Sequence, residues 1–307
     1  MRICSFLPSA TEIVCALGLS DALVGVTYEC DYPPEVRGKT VVVETRLEAR
    51  GRTAAELDAQ VHAILARGES LYRVDEVALR RLQPDLILTQ DLCQVCAASP
   101  EDLSAVLGTF PTAPRVLTLA PKDLSGVWQD ILRVGAAVGR SQQASALVAE
   151  LVARVERVRA AVAEAPRPRV LALEWLDPPF LPGHWVPEML AIAGGEPLGC
   201  RSGEPSRRAD WAELLQTRPD VILLMPCGYD LAATCAEARA HRWPPGWWEL
   251  PAVRAGHVWA LDANSYFARP GPRLADGVEI LAAIFHPERA PVPLCAGVAA
   301  LVFQGVA

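Results

Sequence analysis

Apolar runs rich in β-branched residues alternate along the chain with stretches of helical period. This alternation is typical of βα units around a parallel sheet that is buried on both faces. The predicted strands are 2–6, 23–27, 85–89 and 115–119 in the first half, and 169–174, 220–225 and 257–261 in the second. The predicted helices are 9–17, 53–67, 75–82, 187–193, 211–216 and 272–285. The pattern therefore predicts two α/β halves.

A long helical segment separates these halves. Apolar residues recur every three or four positions from 142 to 165, with Glu and Arg between them, and Pro166 and Pro168 end the pattern. At 1.5 Å per residue the segment would form a rod of about 36 Å, stiffer than a Gly/Ser linker. An ordinary long surface helix has the same pattern. We expect an N-terminal α/β lobe at 1–140, a connecting backbone helix at 141–165, a C-terminal α/β lobe at 166–290 and a tail at 291–307.

Composition and charge narrow the class of protein. Hydrophobic residues make up 51% and charged residues 21%, which is typical of a chain that folds around a core. A net charge of −7 without a long basic stretch argues against nucleic acid as a partner. Pro8 interrupts the first apolar run, and the apolar stretch 290–303 is shorter than the roughly 20 residues of a bilayer span. We expect a cytoplasmic protein with no transmembrane segment, or a periplasmic or extracytoplasmic one if the true start lies upstream.

The nine cysteines are scattered, unlike a secreted disulfide framework, and most are expected to be buried thiols. Cys93 and Cys96 have the spacing of a thioredoxin-type redox pair or of half a zinc site. No second CxxC or CxxH motif completes a zinc site. Three interpretations remain for this pair: a redox site, thiol contacts to a ligand's metal, and structural thiols.

Ligands of open α/β sheets bind beyond the carboxyl ends of the strands, where loops and helix N-termini converge. In the first half this rule selects six residues: Ser9, Thr11, Tyr28, Glu29, Gln90 and Asp91. Backbone N–H groups at 8–11 would bind a polar edge of the ligand, unless Ser9 simply caps its helix. Solvated loop tips are the alternative for the other four.

In the second half the same rule selects mainly aromatic residues: Trp175, Phe180, His184, Trp185, Tyr229, Tyr266, Phe267 and Arg269. Large aromatic side chains in loops point to a ligand, because core packing normally places them inside helices and strands. His184 is a candidate metal ligand, with a local hydrogen bond as the alternative. The cluster of Trp243, Trp247 and Trp248 is expected to pack on a loop instead.

Several segments follow one another in an order that resembles a known family. They are SFLPSATEI at 5–13, ALGL at 16–19, CDYPP at 30–34, LQPDLI at 82–87, PF at 179–180, GG at 194–195, RPDVI at 218–222 and YFARPGPR at 266–273. With them, residues 1–287 resemble the cobalamin and iron-complex substrate-binding proteins of ABC importers, the class III or helical-backbone type. The resemblance implies two Rossmann-like lobes joined by one rigid helix, with the ligand held between the lobes.

We expect the chain to depart from this family in three places: no export signal in the sequence as written, an additional helical segment at 53–72, and the Cys93–Cys96 motif. Receptors of the family dock on their transporter through one acidic residue on each lobe. Glu76 and Glu213 lie about one residue from those positions. The resemblance therefore implies an importer permease as partner, with these two glutamates as candidate docking residues.

The residue types favour a corrinoid as ligand. A catecholate siderophore is strongly anionic and calls for several basic residues, whereas the candidates here are Arg269, with Arg207 or Arg273 as a second. A corrinoid is flat, fringed with amides and nearly neutral, so aromatic walls and hydrogen-bond donors match it. Haem comes second, because its propionates need a cation and its iron needs a ligand such as His184 or Tyr229.

No motif argues for catalysis, since Gly-x-Ser-x-Gly, a Walker loop and a dinucleotide fingerprint are all missing. We predict a non-catalytic protein that binds a corrinoid (cobalamin-like) ligand for uptake, salvage or intracellular handling and requires no cofactor. Haem or iron-siderophore binding is one alternative. A thiol-disulfide oxidoreductase that uses Cys93 and Cys96 is another, and a metal-delivery protein is a third.

Overall fold

The computed structural model describes residues 1–48, 51–91, 107, 108, 110 and 112–303. The chain divides into two compact units. Unit 1 comprises Met1–Arg52, Glu56–Pro121 and Ser125–Ala149, and unit 2 comprises Glu150–Ala307 with the short segments Thr53–Ala55 and Lys122–Leu124. Each unit has its own sheet, which is parallel except at one edge strand. Cys93 and Cys96 lie outside the described residues, so the redox and metal interpretations of this pair stay predictions.

Within its described residues, the sheet of unit 1 has six strands: β1 (Ile3–Ser5), β2 (Leu23–Thr27), β3 (Thr40–Thr45), β4 (Tyr72–Val74), β5 (Leu86–Gln90) and β6 (Arg115–Leu119). Their order is β4-β3-β2-β1-β5-β6, and all neighbours are parallel except β3 and β4. The adjacent strands β1 and β5 are buried along their whole length, as expected for strands covered on both faces.

The described helices of unit 1 are α1 (Pro8–Ala16), α2 (Ala54–Ala66), α3 (Glu76–Leu82) and α4 (Leu124–Ala137), whose first residue groups with unit 2. Pro8 is the first residue of α1 and Leu7 is its N-cap, without a side-chain hydrogen bond. The expectation that Ser9 caps this helix is therefore wrong, because Ser9 already lies in its first turn. Pro8 suits this position, since its fixed φ favours the helix and its missing N–H costs no helical hydrogen bond.

Helix α5 (Ser141–Ala161) corresponds to the predicted connecting helix, and the boundary between the units falls within it. It ends four residues before position 165, because residues 162–164 form a turn. No helix in the described part of the chain combines the length and the apolarity that a bilayer span requires.

The main sheet of unit 2 comprises β7 (Arg169–Leu173), β10 (Glu196–Pro197), β12 (Val221–Leu224), β13 (Val258–Leu261) and β14 (Ala299–Leu301). Its order is β10-β7-β12-β13-β14, and only β14 runs antiparallel to its neighbour. The predicted tail thus contributes an edge strand. A second, antiparallel sheet has the order β11-β9-β8 and comprises β8 (Trp175–Leu176), β9 (Pro179–Leu181) and β11 (Arg207–Arg208).

The helices of unit 2 are α6 (Val186–Ile192), α7 (Trp211–Gln216), α8 (Leu231–Ala240), α9 (Pro251–Arg254), α10 (Ala263–Tyr266) and α11 (Leu274–Phe285). The tryptophan cluster packs as predicted. Trp247 is fully buried and stacks on Trp243 with ring centroids 3.8 Å apart, while Trp248 is half exposed and contacts Phe303 edge-on. Trp247 belongs to the hydrophobic core of unit 2, and Trp243 and Phe303 pack against that core.

Candidate ligand-binding site

In unit 1 the turn between β1 and α1 brings backbone groups to the carboxyl edge of the sheet. Phe6 N–H donates to Leu88 O at 2.8 Å, which joins this turn to the end of β5. Pro8 has no N–H, and the N–H of Thr11 is used by Leu7 O at 3.3 Å. The predicted backbone-donor site at 8–11 is thereby reduced to Ser9 and Ala10.

The side chains of Ser9 and Thr11 do not reach a surface. They are 2% and 0% exposed, and Thr11 Oγ1 lies 3.0 Å from Cys30 Sγ inside the unit. That these two side chains contact a ligand stays a prediction, and their burial in the first turn of α1 does not support it in this conformation.

Two further predicted pairs lie at the ends of β2 and β5. Tyr28 is exposed and its hydroxyl donates to Glu29 Oε1 at 3.1 Å, so both polar groups lie at the sheet edge. Gln90 is the last residue of β5 and is buried, whereas Asp91 is exposed. Tyr28, Glu29 and Asp91 are thus the predicted unit 1 residues that a ligand can reach.

In unit 2 the loops after three adjacent strands are hydrogen-bonded side by side. Cys227 N–H, after β12, donates to Glu174 O, after β7, at 3.0 Å. Asn264 N–H, after β13, donates to Tyr229 O at 3.0 Å. Parallel pairing brings all three strand ends to one edge, so residues far apart in sequence form one surface.

The aromatic residues of this edge form a defined pair. The rings of Trp175 and Tyr229 meet edge to face, with centroids 5.6 Å apart and planes at 80°. Trp175 Nε1 donates to Asp177 O at 3.1 Å, which fixes the indole. Burial, and then the charge of Glu237, raise the pKa of Tyr229, so its phenol stays neutral and can donate a hydrogen bond.

Tyr266 lies at the end of α10, beside two arginines. The guanidinium of Arg273 lies 5.7 Å from the centre of the Tyr266 ring, a cation–π contact. Arg269 is only 7% exposed and its Nη2 donates to Asn264 Oδ1 at 3.0 Å. The neighbouring helix approaches closely here, because a Cβ on Gly277 would lie 2.4 Å from Tyr266 O.

Two of the predicted aromatic residues are buried, and a third lies within a strand. Trp185 is 6% exposed and its Nε1 donates to Phe267 O at 2.7 Å, and Phe267 itself is 2% exposed. Both side chains are buried in this conformation, and their assignment as ligand walls stays a prediction. Phe180 is not in a loop but in β9, where it pairs with Trp175, although it stays partly exposed.

His184 has a conformation that its neighbours impose. Its φ is 53°, a left-handed value that is uncommon for a residue with a side chain. Hydrogen bonds on both sides hold it, because its N–H donates to Glu204 O at 2.7 Å and its carbonyl accepts from Gly203 N–H at 3.0 Å. Burial, and then the charge of Lys122, lower the pKa of His184, so its imidazole is neutral near pH 7 and competent to bind a metal.

The described residues contain no group of three or more His, Cys, Asp or Glu arranged to hold a metal ion. The described side chains therefore do not form a cage for a free metal ion, and His184 stays a predicted metal ligand.

The candidate docking residues are both exposed and both paired. Glu76 is the first residue of α3 and accepts from Arg80 Nη2 at 2.6 Å. Glu213, in α7, accepts from Arg207 Nη2 at 2.5 Å, and this hydrogen bond lowers the pKa of Glu213. Each of the two carboxylates thus has an arginine partner beside it.

Sequence reasoning missed Asn264 and Gly277. Asn264 follows Asp262, whose carboxylate accepts from Ser265 N–H at 2.9 Å and starts α10. The Asp-Ala-Asn-Ser run after a strand is a recognisable helix-start signal. Gly277 gave no such signal, because only the packing of α11 against 266–267 gives it a role.

This arrangement is that of an α/β ligand-binding protein with reachable aromatic and polar side chains at its sheet edges. Residues 3–265 match the family model described as "Periplasmic binding protein", and the chain belongs to this family. The predicted family and the two-lobed class III fold are confirmed.

The chain is 26% identical to the Vitamin B12-binding protein of Vibrio cholerae serotype O1 over 281 residues, which cover 91% of this chain and 86% of the relative. It is 25% identical to the ABC transporter substrate-binding lipoprotein YvrC of Bacillus subtilis, covering 94% and 80%. Its fold is similar to that of a periplasmic heme binding protein from Pseudomonas aeruginosa, with a TM-score of 0.74, 20% identity, and coverage of 100% and 99%.

Proposed function

We propose that this chain is a non-catalytic substrate-binding protein whose ligand is a corrinoid. The observation that carries the proposal is the edge-to-face pair of Trp175 and Tyr229 at the carboxyl edge of the unit 2 sheet. Such a pair offers a rigid apolar surface with a phenol donor beside it, which suits a flat macrocycle with an amide fringe. The similarity to the Vibrio cholerae Vitamin B12-binding protein supports the same ligand class.

The charges at this edge favour a nearly neutral ligand. Arg269 is buried and bonded to Asn264, and Arg273 lies over the Tyr266 ring. Neither guanidinium has the freedom that several anionic groups of a siderophore would require. A neutral corrinoid places no such demand on the site.

Haem is the second candidate, supported by two observations. The imidazole of His184 is neutral near pH 7, as a ligand to haem iron must be. The fold is also similar to that of the Pseudomonas aeruginosa heme binding protein. A haem would need Arg269 or Arg273 to turn towards its propionates.

We also propose a partner, an ABC importer permease that docks on Glu76 and Glu213. The similarity to the Bacillus subtilis ABC transporter substrate-binding lipoprotein supports this role. Docking would require each glutamate to exchange its intramolecular arginine for a basic group of the permease. Service to an importer requires an extracytoplasmic location, whereas salvage or handling inside the cell requires a cytoplasmic one.

The test is to mix the purified protein separately with cyanocobalamin, cobinamide and hemin, remove free ligand by desalting, and record absorption spectra. We expect the corrinoids to be retained at one equivalent. If only hemin is retained, and its Soret band changes in His184→Ala, the ligand is haem and not a corrinoid. A colourless protein in all three cases would contradict the proposal.

Two substitutions test the site itself. Trp175→Ala and Tyr229→Ala should each weaken corrinoid binding by about 1–3 kcal/mol if they are central contacts. Trp248→Ala is the matched control, because Trp248 is a half-exposed tryptophan of the same unit that packs on Phe303. Equal affinities for all three variants would remove the aromatic pair from the site.

A further inference from the structure

Unit 2 contains a cavity that the proposed function does not use. It has a volume of about 560 Å³ and is formed by the turn of the β8–β9 hairpin, the end of β11 and the start of α7. Its lining includes Trp211, the ring-bearing residues Pro178 and Pro179, and the charged residues Asp177, Arg208 and Asp210. The wall is thus aromatic and aliphatic, with charges of both signs.

Trp211 is a rigid part of this wall. Its indole meets Trp247 edge-on at 5.8 Å and Trp243 edge-on at 5.9 Å, and these two rings stack on each other. Trp211 is only partly buried, so part of its indole remains accessible in the cavity. A tryptophan face held in this way attracts cations through its quadrupole, and tryptophan is the best side chain for this purpose.

The charges around Trp211 are not neutralised by ion pairs. Among the described residues neither Asp177, Arg208 nor Asp210 forms one, in contrast to Arg207 and Glu213 close by. Asp210 uses Oδ1 to cap α7 by accepting from Ala212 N–H at 2.9 Å, which leaves Oδ2 for another partner. Two carboxylates against one guanidinium give the cavity a net negative charge.

The negative potential also reaches the residues behind the cavity. The charge of Asp177 adds to burial in raising the pKa of Glu237, and it opposes the effect of burial on the pKa of His241. The ring of His241 lies 6.0 Å from that of Trp211. A cation next to Asp177 would relieve this excess of negative charge.

We infer that this cavity is a second binding site, for a small organic ammonium ion. The ammonium group would lie on the Trp211 face near Asp177 and Asp210, and the proline rings would contact its methyl groups. Arg208 would add affinity for ligands that also carry a carboxylate, such as betaines. The inference is separate from the corrinoid proposal, because the residues that test it, Trp211, Asp210 and Arg208, carry no part of that proposal. The two sites share only Asp177, whose backbone carbonyl accepts from the Trp175 indole.

The experiment titrates the full-length protein by calorimetry with choline, glycine betaine and 3,3-dimethylbutan-1-ol, a neutral isostere of choline. We expect both charged ligands to bind and the isostere to bind at least about tenfold more weakly, because it lacks the cation. Equal affinity for choline and the isostere would overturn the inference, as would no binding of choline at concentrations up to about 10 mM.

Variants locate the site. Trp211→Phe should weaken choline binding about 3- to 10-fold, since phenylalanine has a weaker quadrupole, and Trp248→Phe is the matched control that should leave it unchanged. Asp210→Asn keeps an efficient helix cap and should still weaken binding about threefold. Arg208→Gln should weaken glycine betaine but not choline. Unchanged affinities in all of these variants would place the ligand elsewhere and contradict the inference.

Discussion

Arg154 on α5 and Glu279 on α11 form a two-point ion pair, with Nε–Oε1 at 3.0 Å and Nη2–Oε2 at 2.6 Å. The side chains are 21% and 11% exposed, and Asp276 accepts a third hydrogen bond from the same guanidinium. These carboxylates raise the pKa of Arg154 above its usual value. The pair joins two helices of unit 2 that are 125 residues apart in sequence.

Removal of one partner of this pair should destabilise unit 2. Arg154→Met leaves the mostly buried Glu279 carboxylate without its cation, and we expect a loss of about 1–3 kcal/mol in the free energy of unfolding. The urea midpoint measures this loss. The double variant Arg154→Met with Glu279→Gln should recover part of it, because no unpaired charge then remains at position 279. Together with the single variant Glu279→Gln, these proteins form a double-mutant cycle. If the destabilisation of the double variant equals the sum for the two single variants, the pair has no coupling energy.

Gly277→Ala should disturb the candidate site from behind. The new Cβ would lie 2.4 Å from the carbonyl oxygen of Tyr266, which is backbone and cannot rotate away. We expect a loss of about 1–3 kcal/mol in stability and a shift of Tyr266 that weakens corrinoid binding. Gly38→Ala is the control, because a Cβ there meets nothing within 4 Å. Equal affinities of Gly277→Ala and the wild type would separate Tyr266 from the site.

The stability should depend on pH through His184. Burial and Lys122 lower its pKa in the folded state, so below about pH 6.5 the unfolded chain takes up a proton before the folded one. The free energy of unfolding should therefore decrease as the pH is lowered through this window, and it should decrease less steeply in His184→Gln. Urea midpoints of both proteins at about pH 8 and about pH 5.5 measure the difference.

The pKa of His241 is lowered as well. Because His241 is present in both the wild type and His184→Gln, it contributes equally to their pH dependence, and the difference between them reports on His184. His257→Gln, at an exposed position, provides a matched control. A pH dependence identical in wild type and His184→Gln would show that His184 accepts a proton freely in the folded state.

The described cysteines should differ widely in reactivity. Burial raises the pKa of the Cys4 thiol to about 12 and that of Cys200 to about 11, whereas Cys227 and Cys295 are exposed. Because the thiolate is the reactive form, iodoacetamide should modify Cys227 and Cys295 in the native protein, and Cys4 and Cys200 only after unfolding. Peptide mass spectrometry of the alkylated protein distinguishes the sites. Rapid native labelling of Cys4 would show that the β1 region opens.

Much of the fold could be predicted from local pattern. The strands at 23–27 and 115–119 and the helix at 211–216 have the predicted bounds, since their apolar residues alternate or recur with a clear period. The strand Thr40–Thr45, the helix Leu231–Ala240 and the Trp175–Leu181 hairpin were missed. The hairpin has only two or three paired residues on each side, too few for a periodic signal.

The candidate site could be predicted only in part. The rule that ligands bind beyond the carboxyl ends of parallel strands selected Trp175, Tyr229 and Tyr266, which stay partly exposed at the edge of the unit 2 sheet. It also selected Trp185 and Phe267, which bond to each other across 82 residues of sequence and are buried. Nothing in the residues around either position indicates this pairing.

The order of motifs and the hydrophobic periodicity therefore determined the family, the α/β class and the sequence of strands and helices, because these depend on near neighbours along the chain. Which aromatic rings remain available to a ligand was decided only by the tertiary structure. The exposure of a side chain depends on residues that folding brings beside it, such as Phe267 against Trp185 and Tyr229 against Trp175, and that proximity has no counterpart in local sequence.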